Sequence, residues 1–167
     1  YIQPRQKRGI ISYKKGRKNM NYPKFTSESV CSGHPDKICD AISDAILDAA
    51  YSHDTLARVA VETLVTKDFV TIAGEVTTTA KIDYVAIAQE TIKSLGYIDP
   101  HLGFTDDAEI IVKIHTQSPE ISQGVDLDGA GDQGMMFGYA CNQTPTYMPL
   151  PIQFAHDITM AIDQSRE

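Results

Sequence analysis

The polar stretch SVCSGHPDKICD holds two cysteines, a histidine and an aspartate within nine positions. Cys31, His34 and Cys39 could ligate zinc, but structural zinc sites normally present four ligands in closely spaced pairs. A catalytic Cys–His pair is no better indicated, because folding rather than sequence proximity brings such pairs together. A third interpretation is an anion-binding loop, in which His34 and Lys37 supply donors and charge at a helix N-terminus and Asp36 holds a Mg²⁺ ion that bridges phosphate oxygens. The residues alone leave these interpretations open, although core packing is favoured for Cys39.

Two glutamates lie inside strand-like runs, where acidic residues are uncommon. Glu62 occurs in VAVETLV and Glu75 occurs in TIAGEVTT. On the solvent face of a strand such residues need no explanation. Facing inward, each would need a cation or several hydrogen-bond donors, because an unpaired buried carboxylate is very costly. Both interpretations stay open at this point.

The glycine-rich stretch GVDLDGAGDQG matches neither of the two motifs that it suggests. An EF-hand that starts at Asp126 would have Ala130 at its fifth position and Phe137 in place of the final glutamate. A P-loop would end in Gly-Lys-Ser or Gly-Lys-Thr, and this stretch does not. What remains is a tight glycine turn that brings Asp132 and Gln133 close to a ligand.

The elements that must position these residues follow from the apolar pattern beyond residue 24. Apolar residues at helical spacing predict a helix from Ile38 to Ala49, with Pro35 and Asp36 in its first turn and a solvated face made of Asp40, Asp44 and Asp48. The remaining pattern predicts strands at 58–66 and 69–79 joined by a hairpin turn, a helix at 82–95, a strand at 109–115, a loop at 116–131, a strand at 133–140, and a helix that opens at Pro151 and continues to Glu167. This order predicts an α+β fold, with one domain near 24–116 and the start of another.

Charge and cysteine content narrow the class of protein. Residues 1–19 carry seven Lys or Arg and no acid, whereas the rest of the chain carries eight bases and 22 acids. We therefore expect residues 1–23 to be a disordered basic extension that need not be native, and we expect no nucleic-acid partner for the acidic remainder. No apolar run approaches the ~18 residues of a membrane helix, so no membrane partner is expected. Three cysteines favour a reducing compartment, with a cytoplasmic location as the default.

Five stretches stand in order along the chain: FTSESVCSGHPDKICDAISDAILDA, VETLV, AGEVTTTA, TQSPEISQGVD and GAGDQGMMFGYA. Together they resemble the successive signatures of S-adenosylmethionine synthetase (methionine adenosyltransferase). The resemblance implies three similar domains in a pseudo-threefold arrangement, in a homodimer or dimer of dimers whose sites form between two subunits. It assigns residues 24–116 to the N-terminal domain, 117–131 to a mobile active-site loop and 132–167 to the start of the central domain.

The resemblance also implies a reaction and the residues that serve it. In this family the methionine sulfur attacks C5′ of ATP and expels triphosphate, which is then cleaved to pyrophosphate and phosphate. His34 matches the histidine that stabilises the departing oxygen, and Lys37 is expected to help bind ATP. Asp36 matches a Mg²⁺ ligand, Glu28 lies in the block close to the same metal, and Glu62 matches the carboxylate of a K⁺ site.

The methionine side of the site is implied in the same way. Glu75 matches a glutamate suited to the substrate's ammonium group, Gln117 matches a methionine contact at the start of the mobile loop, and Asp132 lies in the glycine turn that lines the pocket. Further residues that the family uses to hold both substrates have no counterpart in this sequence, so the chain alone is expected to be inactive. The alternative is a non-catalytic fragment or paralogue that binds and modulates a synthetase subunit.

Overall fold

The computed structural model of the protein describes residues 24–116 and 134–165. The predicted extension 1–23 and the predicted loop 117–131 lie outside these residues, as do Gln117, Asp132 and Gln133. The described part contains helix α1 (Pro35–Tyr51), strands β1 (Arg58–Thr66) and β2 (Phe69–Thr77), helix α2 (Tyr84–Ser94), a 3₁₀ turn (Pro100–Leu102), strand β3 (Glu109–His115) and helix α3 (Leu150–Gln164).

Helix α1 forms where the apolar spacing predicts it. Pro35 opens the helix at a position where a missing N–H costs nothing, and the charge of Asp36 suits the first turn. The buried side chains recur every fourth residue, at Ile38, Ile42, Ile46 and Ala50. The aspartates on the other side are exposed, at positions 40, 44 and 48. The prediction of a solvated acidic face is therefore confirmed.

Strands β1 and β2 form the predicted antiparallel hairpin. Its two-residue turn contains Asp68 with φ +51°, a left-handed conformation that aspartate tolerates better than most residues. β2 ends two residues earlier than predicted. The reason is a contact with a residue 25 positions earlier: the Thr79 N–H donates to the carboxylate of Asp54 at 2.8 Å, so it is not available to the ladder.

Helix α2 connects β2 to β3. It begins where the Asp83 carboxylate accepts an N–H of the first turn, and it lies within the predicted range 82–95. Gly96 follows the helix with φ +87° and terminates it, as predicted. β3 then pairs in parallel with β2, so the sheet order is β1-β2-β3 and α2 is the crossover.

Both α1 and α2 pack against one face of the sheet. The large side chains with no exposure in this layer are Ile42, Ile46, Val70, Ile72 and Ile92. Side chains alternate between the two faces along each strand. The face away from the helices carries the even-numbered residues of β1 from 60 to 66 and the odd-numbered residues of β2 and β3. This second surface, the open face, leaves Leu64 59% exposed and Ile111 36% exposed. Helices on one side of a mixed sheet confirm the predicted α+β fold.

Helix α3 lies apart from the sheet and contacts the segment that precedes α1. It begins one residue before Pro151, and it ends at Gln164 rather than continuing to the last residue as predicted. Its apolar side is not covered by the described residues, because Ile158 is 60% exposed and Ile162 is 45% exposed. No helix in the described ranges has the length and hydrophobicity needed to cross a membrane.

The predicted strand at 133–140 is wrong for the residues that the structure describes. Residues 134–140 are irregular and exposed, and Phe137 is 92% exposed. The stretch MMFGYA has the composition of a strand, but a strand needs a hydrogen-bonded neighbour. In the described part of the chain no strand lies beside it.

Candidate functional site

His34 is the N-cap of α1, and 42% of its side chain is exposed. Its Nδ1 accepts the N–H of Asp36 at 3.1 Å. This contact assigns the tautomer, because a neutral imidazole that accepts through Nδ1 carries its proton on Nε2. The His34 N–H donates to the carbonyl oxygen of Cys31 at 3.0 Å and closes a turn within residues 29–34, the His34 loop. The geometry therefore leaves Nε2–H as a hydrogen-bond donor on a fixed ring.

The first turn of α1 has fewer free N–H groups than a helix N-terminus usually offers. Pro35 has none, the Asp36 N–H is used by His34, and the Ile38 N–H donates to the His34 carbonyl at 3.0 Å. Within the described ranges, only the Lys37 N–H of this turn has no partner. An anion at this helix end would be bound mainly by side chains, through Nε2–H of His34 and the exposed ammonium of Lys37.

Asp36 presents a carboxylate to solvent, with 87% of its side chain exposed. Mg²⁺ is usually held by one or two carboxylates together with phosphate oxygens and water. A single exposed acid beside a histidine that offers an N–H donor fits that pattern, and Glu28 is exposed just before the His34 loop. Residues 24–116 and 134–165 contain no group of three or more His, Cys, Asp or Glu that could hold a metal by itself. A metal here would need ligands in addition to the described residues.

Cys39 is half-buried on α1, and all three cysteines are free thiols. Desolvation raises the pKa of the Cys39 thiol above its ordinary value, and the negative charges of Asp36 and Asp40 raise it further. The thiolate is both the metal ligand and the nucleophile of cysteine chemistry. Cys39 is thus poorly suited to either role.

Glu62 and Glu75 both lie on the open face of the sheet. Glu62 pairs with Ala73, and Glu75 lies between Ala60 of β1 and His115 of β3. Glu62 is exposed and Glu75 is half-buried. Neither acid points into the core, so the solvent-face interpretation describes both, and neither needs a cation to be stable in this fold.

The structure does not bring the predicted residues into one site. α1 lies on the covered face of the sheet, where Ser43 of α1 and Thr63 of β1 share a hydrogen bond of 2.9 Å. The helix begins at the turn end of the hairpin, where Pro35 lies beside Val65. His34, Asp36 and Lys37 are therefore grouped at that end. Glu62 and Glu75 lie on the other face, and Glu75 is towards the opposite end of the hairpin. Gln117 and Asp132 are outside the described residues.

A cleft of about 730 Å³ lies beside His34, between the His34 loop, the end of α2 and α3. Two of its lining residues were missed by sequence reasoning. The Tyr97 hydroxyl donates to the carbonyl oxygen of Gly33, and the carboxylate of Asp163 accepts the N–H of Ser32 at 2.9 Å. Tyr97 follows a helix end and Asp163 belongs to an amphipathic pattern, so neither carried a local signal.

Comparisons with known proteins agree on one family. A family model described as "S-adenosylmethionine synthetase, N-terminal domain" matches residues 23–119, and one described as "S-adenosylmethionine synthetase, central domain" matches residues 127–167. The chain is 52% identical over 145 residues to "S-adenosylmethionine synthase 1" of Rhodospirillum rubrum and, to the same extent, to the protein of that name from Rhodopseudomonas palustris. It is 50% identical over 151 residues to "S-adenosylmethionine synthase" of Syntrophobacter fumaroxidans.

These matches cover 84–86% of the chain but only 38–39% of each relative. The chain thus spans about two fifths of the length of the curated relatives that it matches.

Proposed function

The chain belongs to the S-adenosylmethionine synthetase family, and from this premise we propose that it contributes to the transfer of the adenosyl group of ATP to L-methionine. The methionine sulfur forms a bond to C5′, the C5′–O bond breaks, and its electron pair leaves on the triphosphate. The product is the sulfonium S-adenosylmethionine, and water then cleaves the triphosphate to pyrophosphate and phosphate. Because a thioether needs no deprotonation, the protein must mainly stabilise the charge that develops on the leaving group.

The N-cap geometry of His34 carries this proposal. A donor for the leaving oxygen must be fixed before the bond breaks, and it must keep its proton throughout. The Nδ1 contact to the Asp36 N–H holds the ring and leaves the proton on Nε2. We assign His34 as the catalytic residue, with Nε2–H donating to the departing oxygen, and Lys37 as a neighbouring ATP-binding charge.

The exposed acids of this region suit a metal bound through the nucleotide. Mg²⁺, when present, neutralises charge on the triphosphate oxygens. Asp36 would be its ligand from α1, and Glu28 would add a carboxylate from the segment before the His34 loop. Their exposure and separate positions support binding that depends on ATP rather than a preformed metal cage.

The open face supplies the second half of the proposal. Glu75 would receive the ammonium group of methionine, Glu62 would provide a carboxylate to K⁺, and Gln117 and Asp132 would complete the methionine pocket. Since Glu62 and Glu75 lie on the face opposite the His34 group, we propose that a working site needs further protein, either from another part of the polypeptide or from a second subunit of a homodimer. The 167-residue chain alone would then be inactive.

The test uses a chimera in which residues 24–165 replace the matching portion of the Rhodospirillum rubrum relative. Formation of S-adenosylmethionine and phosphate from ATP, methionine, Mg²⁺ and K⁺ is measured. We expect the chimera to be active and the 167-residue chain to be inactive. An inactive but folded chimera would refute the proposal.

His34→Asn separates chemistry from folding, because asparagine is itself a favoured N-cap. In the chimera this change should lower kcat by about 10²–10³, the usual cost of removing one such donor, while the KM for methionine changes little. His53→Asn is the matched control, since His53 is exposed beyond the end of α1. Unchanged kcat in His34→Asn would remove the catalytic assignment.

Glu62→Gln tests the cation assignment separately. The exposed position of Glu62 predicts a folded variant. If its carboxylate binds K⁺, activation by K⁺ should disappear while activity without K⁺ is retained. K⁺ dependence that persists in Glu62→Gln would reduce Glu62 to a surface residue of the open face.

A further inference from the structure

The geometry assigns Tyr97 and Asp163 as positioning residues that hold the His34 loop from two sides. The assignment rests on the proposed role of His34, because a fixed loop matters only if its histidine acts on the substrate. Neither residue carries a motif, and both meet the loop only in the folded chain.

Tyr97 holds the peptide group immediately before His34. Its hydroxyl donates to the carbonyl oxygen of Gly33 at 2.5 Å. The ring is itself fixed by Phe104, which is 7% exposed and packs edge-on with the ring centroids 5.4 Å apart. A Cβ added at Gly33 would lie 2.9 Å from the Tyr97 hydroxyl oxygen, so the loop can approach the ring this closely only because residue 33 is glycine.

Asp163 holds the loop from α3. Its carboxylate accepts the N–H of Ser32 at 2.9 Å, and this bond is the main reason that the pKa of Asp163 is lowered. Ser29 Oγ lies 2.8 Å from Nδ1 of His156, and the Cys31 thiol reaches the carbonyl oxygen of Thr159 at 3.9 Å. These three α3 residues lie at i, i+3 and i+7, so one stripe of the helix follows the loop.

These hydrogen bonds hold three consecutive residues, of which the last is His34. Ser32 is bound through its N–H, Gly33 through its carbonyl, and the His34 N–H is bound to Cys31 within the loop. With Nδ1 used by the cap, the position of Nε2 follows from this backbone. A misplacement of ~1 Å can cost about 10²-fold in rate, so groups that fix the loop should affect turnover without touching the substrate.

Amide hydrogen exchange in the 167-residue protein tests the loop directly. Tyr97→Phe removes only the hydroxyl, and we expect the His34 amide to exchange about five- to tenfold faster, the factor of one neutral hydrogen bond. The amide of Ile72 in β2 should not change. Tyr84→Phe is the control, since the Tyr84 hydroxyl makes no hydrogen bond to the residues that the structure describes.

The second variant pair probes the α3 side. Asp163→Asn keeps the shape but loses the charge of the acceptor, so the Ser32 amide should exchange several-fold faster. Asp157→Asn removes the same charge from α3 and should leave Ser32 unchanged, because among the described residues Asp157 accepts only from Gln153. Unchanged exchange at Ser32 and His34 in both loop variants, or an equal increase at Ile72, would overturn the assignment.

Kinetics in the chimera complete the test. Tyr97→Phe should lower kcat by about tenfold and change the KM for methionine by less than about twofold, because the loop acts on the transition state rather than on methionine binding. An active chimera in which Tyr97→Phe keeps full kcat would overturn the positioning role. A chimera that is inactive before any substitution would instead refute the proposed function, and the exchange result would stand by itself.

Discussion

Gly74 is the point in the sheet where a side chain is least tolerable. It lies in β2 with φ +146° and pairs with Val61 of β1. A Cβ built there would lie 2.0 Å from the carbonyl oxygen of Ala60, whereas real Cβ atoms essentially never come closer than 3.0 Å to another heavy atom. Gly74→Ala therefore forces the two backbones apart by about 1 Å or more, directly beside Glu75.

The expected cost has two parts. Holding alanine in a backbone conformation that favours glycine costs roughly 1–3 kcal/mol. Separating the strands weakens about two ladder hydrogen bonds, at about 1 kcal/mol each. The sum of about 3–5 kcal/mol is a large share of the ~5–15 kcal/mol that stabilises a domain. Gly96→Ala is the matched control, because Gly96 also has positive φ, at +87°, but apart from its two chain neighbours no described residue lies within 4 Å of its Cβ position. Its cost should be about 1–2 kcal/mol, from the backbone alone.

Urea unfolding of the 167-residue protein, followed by circular dichroism, measures both variants. We expect Gly74→Ala to lower the free energy of unfolding by at least ~1 kcal/mol more than Gly96→Ala, with the slope against urea unchanged. Equal losses in the two variants would show that the close approach to Ala60 is relieved at no cost. The steric argument for glycine in β2 would then be wrong.

Three further outcomes are expected. Ile46→Ala, at a fully buried position, should lower the free energy of unfolding by about 2–5 kcal/mol, whereas Ile158→Ala, at an exposed position, should change it by no more than about 0.5 kcal/mol. Similar losses for the two variants in urea titrations would contradict the burial of Ile46 in the core. Because burial and nearby charge raise the pKa of Cys39, its alkylation by iodoacetamide at pH 8 should be slow and should accelerate in Asp40→Asn, measured by mass spectrometry with the other thiols replaced by serine; no acceleration would remove the charge effect. The pKa of Asp54 is lowered, chiefly because its carboxylate accepts the N–H of Thr79. The hydrogen bonds of Asp54 therefore stabilise the fold above the ordinary carboxyl pKa, and this stability is lost below about pH 4, as the pH falls through the lowered pKa of the folded protein. Thermal unfolding of Asp54→Asn should lack this acid-side loss, and a wild-type pH profile would contradict it.

Elements that rest on local pattern were predicted from the sequence almost to the residue. The bounds of β1 and β3 agree with the structure, and α1 and α2 differ from their predicted ends by only a few positions. Errors arose where a distant group decides the outcome. β2 stops because Asp54 takes an N–H from Thr79, and the strand-like residues 134–140 have no strand beside them in the described part. Periodicity carries no information about such partners.

The candidate site shows the same division. The residue types in the sequence indicated His34, Asp36 and the two strand glutamates. The structure shows the first two at the start of α1 and the glutamates on the open face of the sheet. The sequence could not indicate Tyr97 or Asp163, whose roles depend on contacts across 64 and 131 residues. A tyrosine after a helix and an aspartate on a helix are ordinary in any sequence. Only the folded chain shows that Tyr97 binds Gly33 and that Asp163 binds Ser32.

The separation of His34 from Glu62 and Glu75 is consistent with the chemistry that we propose. When a reaction needs a general base, that base must lie within hydrogen-bond reach of the proton that it removes from the substrate. A thioether nucleophile removes that requirement. One surface has only to hold the leaving triphosphate and the other has only to hold the amino acid, so the two surfaces can belong to different parts of an assembled site. What such an arrangement cannot tolerate is a loosely held donor at the leaving group. That demand falls on the His34 loop, which Asp163 and Tyr97 hold by hydrogen bonds to its backbone and in which the Asp36 N–H holds the His34 ring.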